Sequence, residues 1–273
     1  MFKKFFVAVI LGLLVMSSQI VSAADIDWNS APRINSKAQL ATYIEEGRLK
    51  GQTKFYFTFP SVKINNEQER KDFQGELVKY IATAPSAKLD VDGGFGTGRY
   101  IYTIYQEYLG ARVANAYLSR NQQQAWMNLT PEEQKLYNIA VGIVYEANKR
   151  SSEIEKARYI HDFICDSVYE YKNENNRNET AIGALIDHYA QCGGYSDAFY
   201  MLGRMAGFKV RSVGGKFGDG WHFWNTITLS DGRSYCIDVT MDDGYNTDEW
   251  FLANFEVMKR HHSCDWSVIP NLQ

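Results

Sequence analysis

The chain has 273 residues, 45% of them hydrophobic and 14% aromatic, with a net charge of −3. That is enough apolar material for one large or two modest cores and excludes a disordered chain. The mildly acidic balance argues against nucleic acid as a partner.

The chain opens with Met1-Phe2-Lys3-Lys4, an apolar run from Phe5 to Met16, and small residues at Val21-Ser22-Ala23-Ala24. A basic lead, a short apolar stretch and a small-residue cleavage point make a secretory signal peptide over residues 1–24. The run falls short of the ~20 apolar residues of a membrane span. The expected location is secreted or extracytoplasmic, with no membrane span after leader removal.

Residues 25–125 read as a small α+β domain. A helix is expected from Lys37 to Glu46, then a strand over Thr53–Phe59, where Phe55, Phe57 and Phe59 alternate and Pro60 ends the run. Phe73, Leu77, Tyr80 and Ile81 fall on one face of a second helix. Gly93-Gly94-Phe95-Gly96-Thr97-Gly98 lacks the Lys-Ser/Thr of a phosphate loop and leads into a strand-like run, so it reads as a connection. The tyrosines at 100, 102, 105 and 108 read as sheet packing.

Residues 126–273 form a second unit. Thr130-Pro131-Glu132-Glu133 has the N-cap, first-turn proline and third-position acid of a helix start, and Ser152 with Glu155 repeats the pattern. A third helix is expected around Ala181 to Asp187. His161 and His188, on or near these helices, have no acid or cysteine partner at useful spacing and read as structural. Next comes Gln191-Cys192-Gly193-Gly194, followed by Tyr195, Ala198, Phe199, Leu202, Met205 and Ala206 at helical spacing, with Gly207 as the stop. Cys192 therefore sits at a helix N-terminus, where free N–H groups and the helix dipole favour the thiolate.

Four glycines between Gly214 and Gly220 suggest a flexible loop able to act as a lid. Two strand-like runs follow, Trp221–Leu229 and Arg233–Thr240. A two-residue connection would put His222 and Asp238 on opposite faces. The three-residue loop Ser230-Asp231-Gly232 instead opposes Trp224 to Asp238, making His222 and Asp238 diagonal neighbours, with Gly232 at the left-handed position. Cysteine on a helix, then His and Asp on two strands, supply nucleophile, base and orienter in chain order.

With these residues the run Ala184–Asp243 resembles the core of bacterial transglutaminase-like proteins, relatives of papain-like cysteine proteases: Cys192-Gly193-Gly194-Tyr195, His222-Phe223-Trp224-Asn225 and Asp238-Val239-Thr240-Met241-Asp242-Asp243 agree in order and setting. The resemblance implies an α+β fold in which a helix bundle carrying the cysteine helix packs on an antiparallel sheet. It also implies a Cys192, His222, Asp238 triad acting on amide bonds through an acyl-enzyme, with hydrolysis and cross-linking both open. Gln191, Tyr169 and Tyr171 are candidates for an oxyanion donor beside the Cys192 N–H. Tyr195, Trp221 and Trp224 are candidates for the substrate cleft. The expected substrate is a protein or peptide, cell-wall peptide included, with no cofactor and no metal. An inert binding or scaffold module on the same fold is the alternative.

Asp242, Asp243, Asn246, Asp248 and Glu249 lack the spacing of an EF-hand and read as a solvated turn. His261-His262 with Cys264 lacks a second zinc pair; with Trp250-Phe251-Leu252 it reads as a closing strand and tail. With Cys192 free, one disulfide is expected, joining Cys264 to Cys165 or Cys236.

Overall fold

The computed structural model describes residues 26–48, 52–80, 86–106, 109–170, 176–269 and 271–273. The expected leader, Ile81, Tyr108 and the oxyanion candidate Tyr171 lie outside these ranges. Among the described residues, no helix is long and apolar enough to cross a membrane.

The N-terminal part contains α1 (Lys37–Arg48), β1 (Lys54–Thr58), α2 (Glu67–Tyr80), β2 (Ser86–Val91) and β3 (Arg99–Gln106). Its three strands form an antiparallel sheet in the order β1-β3-β2. Phe55, Phe57 and Phe59 are buried as their alternation requires, against Leu40, Ile44, Phe73 and Leu77 of the two helices. The glycine run joins β2 to β3.

A second apolar core starts earlier than residue 126. Helix α3 (Leu109–Leu118) places Ala111, Val113 and Ala114 in the larger cluster. Packing therefore passes from one core to the other between Ile104 and Ala111, because small side chains let α3 lie close against the cysteine helix. After α4 (Gln122–Met127) come α5 (Pro131–Ala147) and α6 (Glu153–Ser167). The α5 start is a complete capping box: Thr130 Oγ1 accepts from Glu133 N at 3.3 Å, and Glu133 Oε2 accepts from Thr130 N at 2.8 Å. Replacing Thr130 with alanine is expected to cost about 1 kcal/mol, measured as a drop in thermal midpoint.

A short parallel pair, β4 (Tyr169–Glu170) and β5 (Tyr189–Ala190), precedes the central helix α7 (Cys192–Met205). The spacing predicts one buried face for α7, but every residue from Gly193 to Met205 is buried. Helices α3, α5 and α6 cover one side and the main sheet covers the other.

That sheet contains β6 (Lys209–Phe217), β7 (Gly220–Thr228), β8 (Ser234–Ile237) and β9 (His262–Ser263), in the order β8-β7-β6-β9. The expected lid is instead a regular hairpin: Gly214 pairs with Phe223, Gly215 with His222 and Phe217 with Gly220, leaving a tight turn with Gly218 at φ 56°. Gly215 is there for proximity, since a Cβ would run into Trp224 and the Ser263 carbonyl. The β7–β8 connection has the expected register. Thr228 opposes Ser234, Leu229 N donates to Arg233 O at 2.9 Å, and Gly232 has φ 82°.

The second strand is shorter than its alternation suggests. It ends at Ile237, and Asp238 becomes the N-cap of α8 (Val239–Tyr245), accepting from Met241 N at 3.2 Å. Thr240, expected on the strand, lies in that helix. The chain closes through α9 (Phe255–Met258), β9 and a short turn at Trp266–Val268.

Candidate active site

Cys192 is the first residue of α7, reached through the N-cap Gln191. Gly193 N donates to the Glu179 carboxylate. Gly194 N and Tyr195 N return to Gln191 O at 2.9 and 3.1 Å. A Cβ on Gly194 would strike the Asn178 carbonyl, so the loop and helix start can approach this closely only with glycine. As the first residue of the helix, Cys192 has an N–H without an intrahelical acceptor.

His222 on β7 is buried and lies between two of the expected partners. Its Nε2 is 2.6 Å from Asp238 Oδ2, and the Cys192 sulfur is its other electrostatic partner. Nε2 is taken by the carboxylate, so Nδ1 is the nitrogen left for sulfur. The structure thus brings Cys192, His222 and Asp238 together, although Asp238 reaches the site from a helix cap rather than a strand.

The electrostatics favour a charged pair. Burial pulls the His222 pKa down, but the Asp238 carboxylate and the Cys192 sulfur more than offset it, and the imidazolium is held well above its ordinary range. Burial of Asp238 pushes its pKa up; His222 and His262 outweigh that and hold the carboxyl below its usual range. A wall of Phe217, Trp224 and Trp250 packs around these rings, with Trp224 6.0 Å from His222 and Phe217 5.9 Å from it. Such an apolar surround strengthens the pairings inside it.

Other expected site residues are placed differently. Tyr195 and Trp224 are buried, Tyr195 donating to Asp243 Oδ2 and Trp224 packing beneath His222, so neither lines an open cleft. Trp221 is 62% exposed and precedes His222 on β7. Tyr169 is also exposed, its ring 5.9 Å from that of Tyr189, just ahead of α7. Gln191 is half-buried beside the thiol.

All four cysteines are free thiols, so the expected bridge to Cys264 is absent. Cys165 lies 3.9 Å from His161 Nε2, and Cys236 and Cys264 pack in the apolar cluster around Trp224. Burial pushes all three thiols up, Cys264 to about 12.

In the turn expected to be solvated, Asn246, Asp248 and Glu249 are exposed, but Asp242 is folded in. Asp242 is buried, accepting from Trp250 N at 3.0 Å and meeting His161 Nε2 at 3.0 Å. His161 therefore has acidic partners: Asp162 beside it on α6 at 2.8 Å, and Asp242, which ties α6 to α8. His161 and Asp242 are paired across 81 positions, which no local spacing reveals. His188 takes φ 60° and caps a loop, with Nδ1 2.9 Å from Ser167 O.

Sequence reasoning passed over Glu179, which steadies the Gly193 N–H, and His262, whose Nε2 lies 2.7 Å from Asp238 Oδ2.

Residues 139–239, spanning α5 to the start of α8, match the transglutaminase-like superfamily model. No curated protein matches the chain. Among solved structures, a TGase crystal structure is 16% identical at a TM-score of 0.37, covering 68% of this chain and 50% of its own. The periplasmic domain of TgpA from Pseudomonas aeruginosa is 11% identical at 0.33, covering 59% of this chain and 65% of its own. The chain thus spans about half the length of the TGase it matches.

Proposed function

From a chain whose residues 139–239 form a transglutaminase-like superfamily domain, we propose an exported thiol enzyme that acts on amide bonds, with Cys192 as nucleophile, His222 as base and Asp238 as orienter. The observation that carries this reading is the grouping of Cys192 with the buried His222 and Asp238, with the Nε2–Oδ2 distance at 2.6 Å and sulfur at a helix N-terminus. Export rests on the basic, apolar and small-residue leader over residues 1–24.

In the proposed reaction the Cys192 thiolate adds to the amide carbonyl carbon, forming the C–S bond. The oxyanion meets the Cys192 N–H, with Gln191 as the adjacent candidate for a second donor. His222, which holds the thiol proton, passes it from Nδ1 to the departing amine as the C–N bond breaks. Asp238 keeps the other proton on Nε2 throughout. Water or a second amine, deprotonated by His222, then displaces sulfur from the acyl-enzyme. Trp221 and Tyr169 are the exposed aromatic candidates for substrate contact.

The test is incubation of the purified protein with a protein-derived peptide, a cell-wall peptide, and a glutamine peptide plus a primary amine, read by product mass. Cleavage or deamidation assigns water as acceptor, and amine incorporation assigns transfer. Cys192→Ala is expected to abolish every product. Equal product from Cys192→Ala and the unaltered protein overturns the assignment.

A further inference from the structure

His262 stands outside the three residues assigned above, yet its ring reaches the same oxygen as the base. Its Nε2 is 2.7 Å from Asp238 Oδ2 and that of His222 is 2.6 Å from it, and all three side chains are buried. We propose that His262 is a positioning residue of this site: its Nε2–H donates to Asp238 Oδ2 beside the His222 N–H and holds the carboxylate in the one orientation that meets His222. The inference rests on the function proposed above and adds a fourth side chain to it.

Proton placement supports it. A carboxylate oxygen has two lone pairs and accepts two N–H groups only if each imidazole carries its proton on Nε2. For His222 that leaves Nδ1 as the basic nitrogen toward the thiol. For His262 it leaves a buried Nδ1 with no hydrogen-bond partner. A second proton there would be a buried donor without an acceptor, a costlier arrangement than a bare lone pair. His262 therefore meets Asp238 as a donor through Nε2–H, with its Nδ1 enclosed in the core.

The backbone and the aromatic wall fix its aim. Strand β9 pairs His262 with Phe217 of β6. The rings of Phe217 and Trp224 lie 5.0 Å from that of His262, and Trp250 lies 6.1 Å away. Asp238 Oδ1 is engaged by Met241 N, so both carboxylate oxygens are held. The same three side chains could gather round a metal. Ligand atoms on a tetrahedral ion at about 2.0 Å stand roughly 3.3 Å apart, whereas 2.6 and 2.7 Å are hydrogen-bond lengths.

The titratable groups around the carboxylate are His222 from β7, His262 from β9, Cys236 from β8, Asp242 from α8 and, through His222, Cys192 from α7. Removing one donor from Asp238 makes it easier to protonate, so the His222 imidazolium loses its counter-ion at a higher pH.

The experiment compares the full chain with His262→Leu, which deletes the donor, and His262→Gln, whose amide N–H reaches a similar distance. In His262→Leu, iodoacetamide labelling of Cys192 at mildly acidic pH is expected to slow about tenfold to a hundredfold, the scale of a hydrogen bond to a charged group. Its acid limb should move to higher pH, and His262→Gln should recover most of both changes. Histidine-ring NMR should show two downfield N–H protons, one lost in His262→Leu and both displaced in Asp238→Asn. The NMR readout needs no turnover, so it stands apart from the proposed activity. An unchanged rate and pH profile in His262→Leu overturns the proposal. So does a single downfield proton in the unaltered protein, or equal slowing in both variants accompanied by equal loss of melting temperature.

Discussion

Replacing His222 with alanine is expected to raise the pH midpoint of Cys192 alkylation toward that of a free cysteine, about 8.5. In the unaltered protein Asp238 holds the His222 imidazolium in its charged form beside Cys192, and a neighbouring cation favours the thiolate, the reactive form. At pH 6 a free thiol is ionised to roughly 0.3%, so any stabilisation of the thiolate shows most clearly there. Part of the gain is offset because a less basic thiolate is a weaker nucleophile. The midpoint is therefore a cleaner measure than the absolute rate. Asp238→Asn keeps the imidazole and should shift the midpoint less. The other three thiols, raised by burial, should lag at every acidic pH. Mass mapping of iodoacetamide adducts across pH reads all four cysteines together. A midpoint near 8.5 in the unaltered protein would remove Cys192 as nucleophile and favour an inert module on the same fold.

The parts of this site legible in the sequence are those with local causes. A helix start after Cys192 follows from apolar spacing, and the three-residue turn follows from Gly232 and the alternation on either side. Together they placed His222 near Asp238 before any coordinates. The end of β8 at Ile237 was hidden because Ile237 and Val239 continue the alternating pattern, while the Asp238 side chain bonds its own downstream N–H and starts a helix. Glycines 214 and 215 looked like loop residues because composition cannot register what a strand packs against; at Gly215 the neighbours are Trp224 and Ser263. His262 lies 24 residues beyond Asp238 in a segment with no strong period, and only the placement of β9 beside β6 aims it at the carboxylate. The Asp242–His161 pair is of the same kind.

Asp197 provides the second large effect, on stability. It is buried within α7, and its Oδ2 accepts from Ala181 N at 2.8 Å and Gly110 N at 3.1 Å. One carboxylate oxygen thus ties the segment before the cysteine loop and the start of α3 to the central helix. Burial pushes the carboxyl up to about 6, against the pull of those two N–H groups. The unfolded chain has an ordinary value near 3.9, so between about pH 4 and pH 6 the folded protein binds more protons than the unfolded one. Stability from this group is therefore fully present below pH 4 and declines as pH rises to 6, by about 3 kcal/mol. Asp197→Asn should remove the slope. Its amide oxygen can occupy the Oδ2 position and accept both N–H groups without titrating. Denaturant unfolding of both proteins at pH 4 and pH 7 isolates the effect, since Asp238 and the histidines titrate in each and cancel in the difference. The variant's stability relative to the unaltered protein should rise by about 3 kcal/mol between the two pH values. A difference that stays constant would mean that Asp197 is ionised in the folded protein throughout, with its charge already met by the two N–H groups.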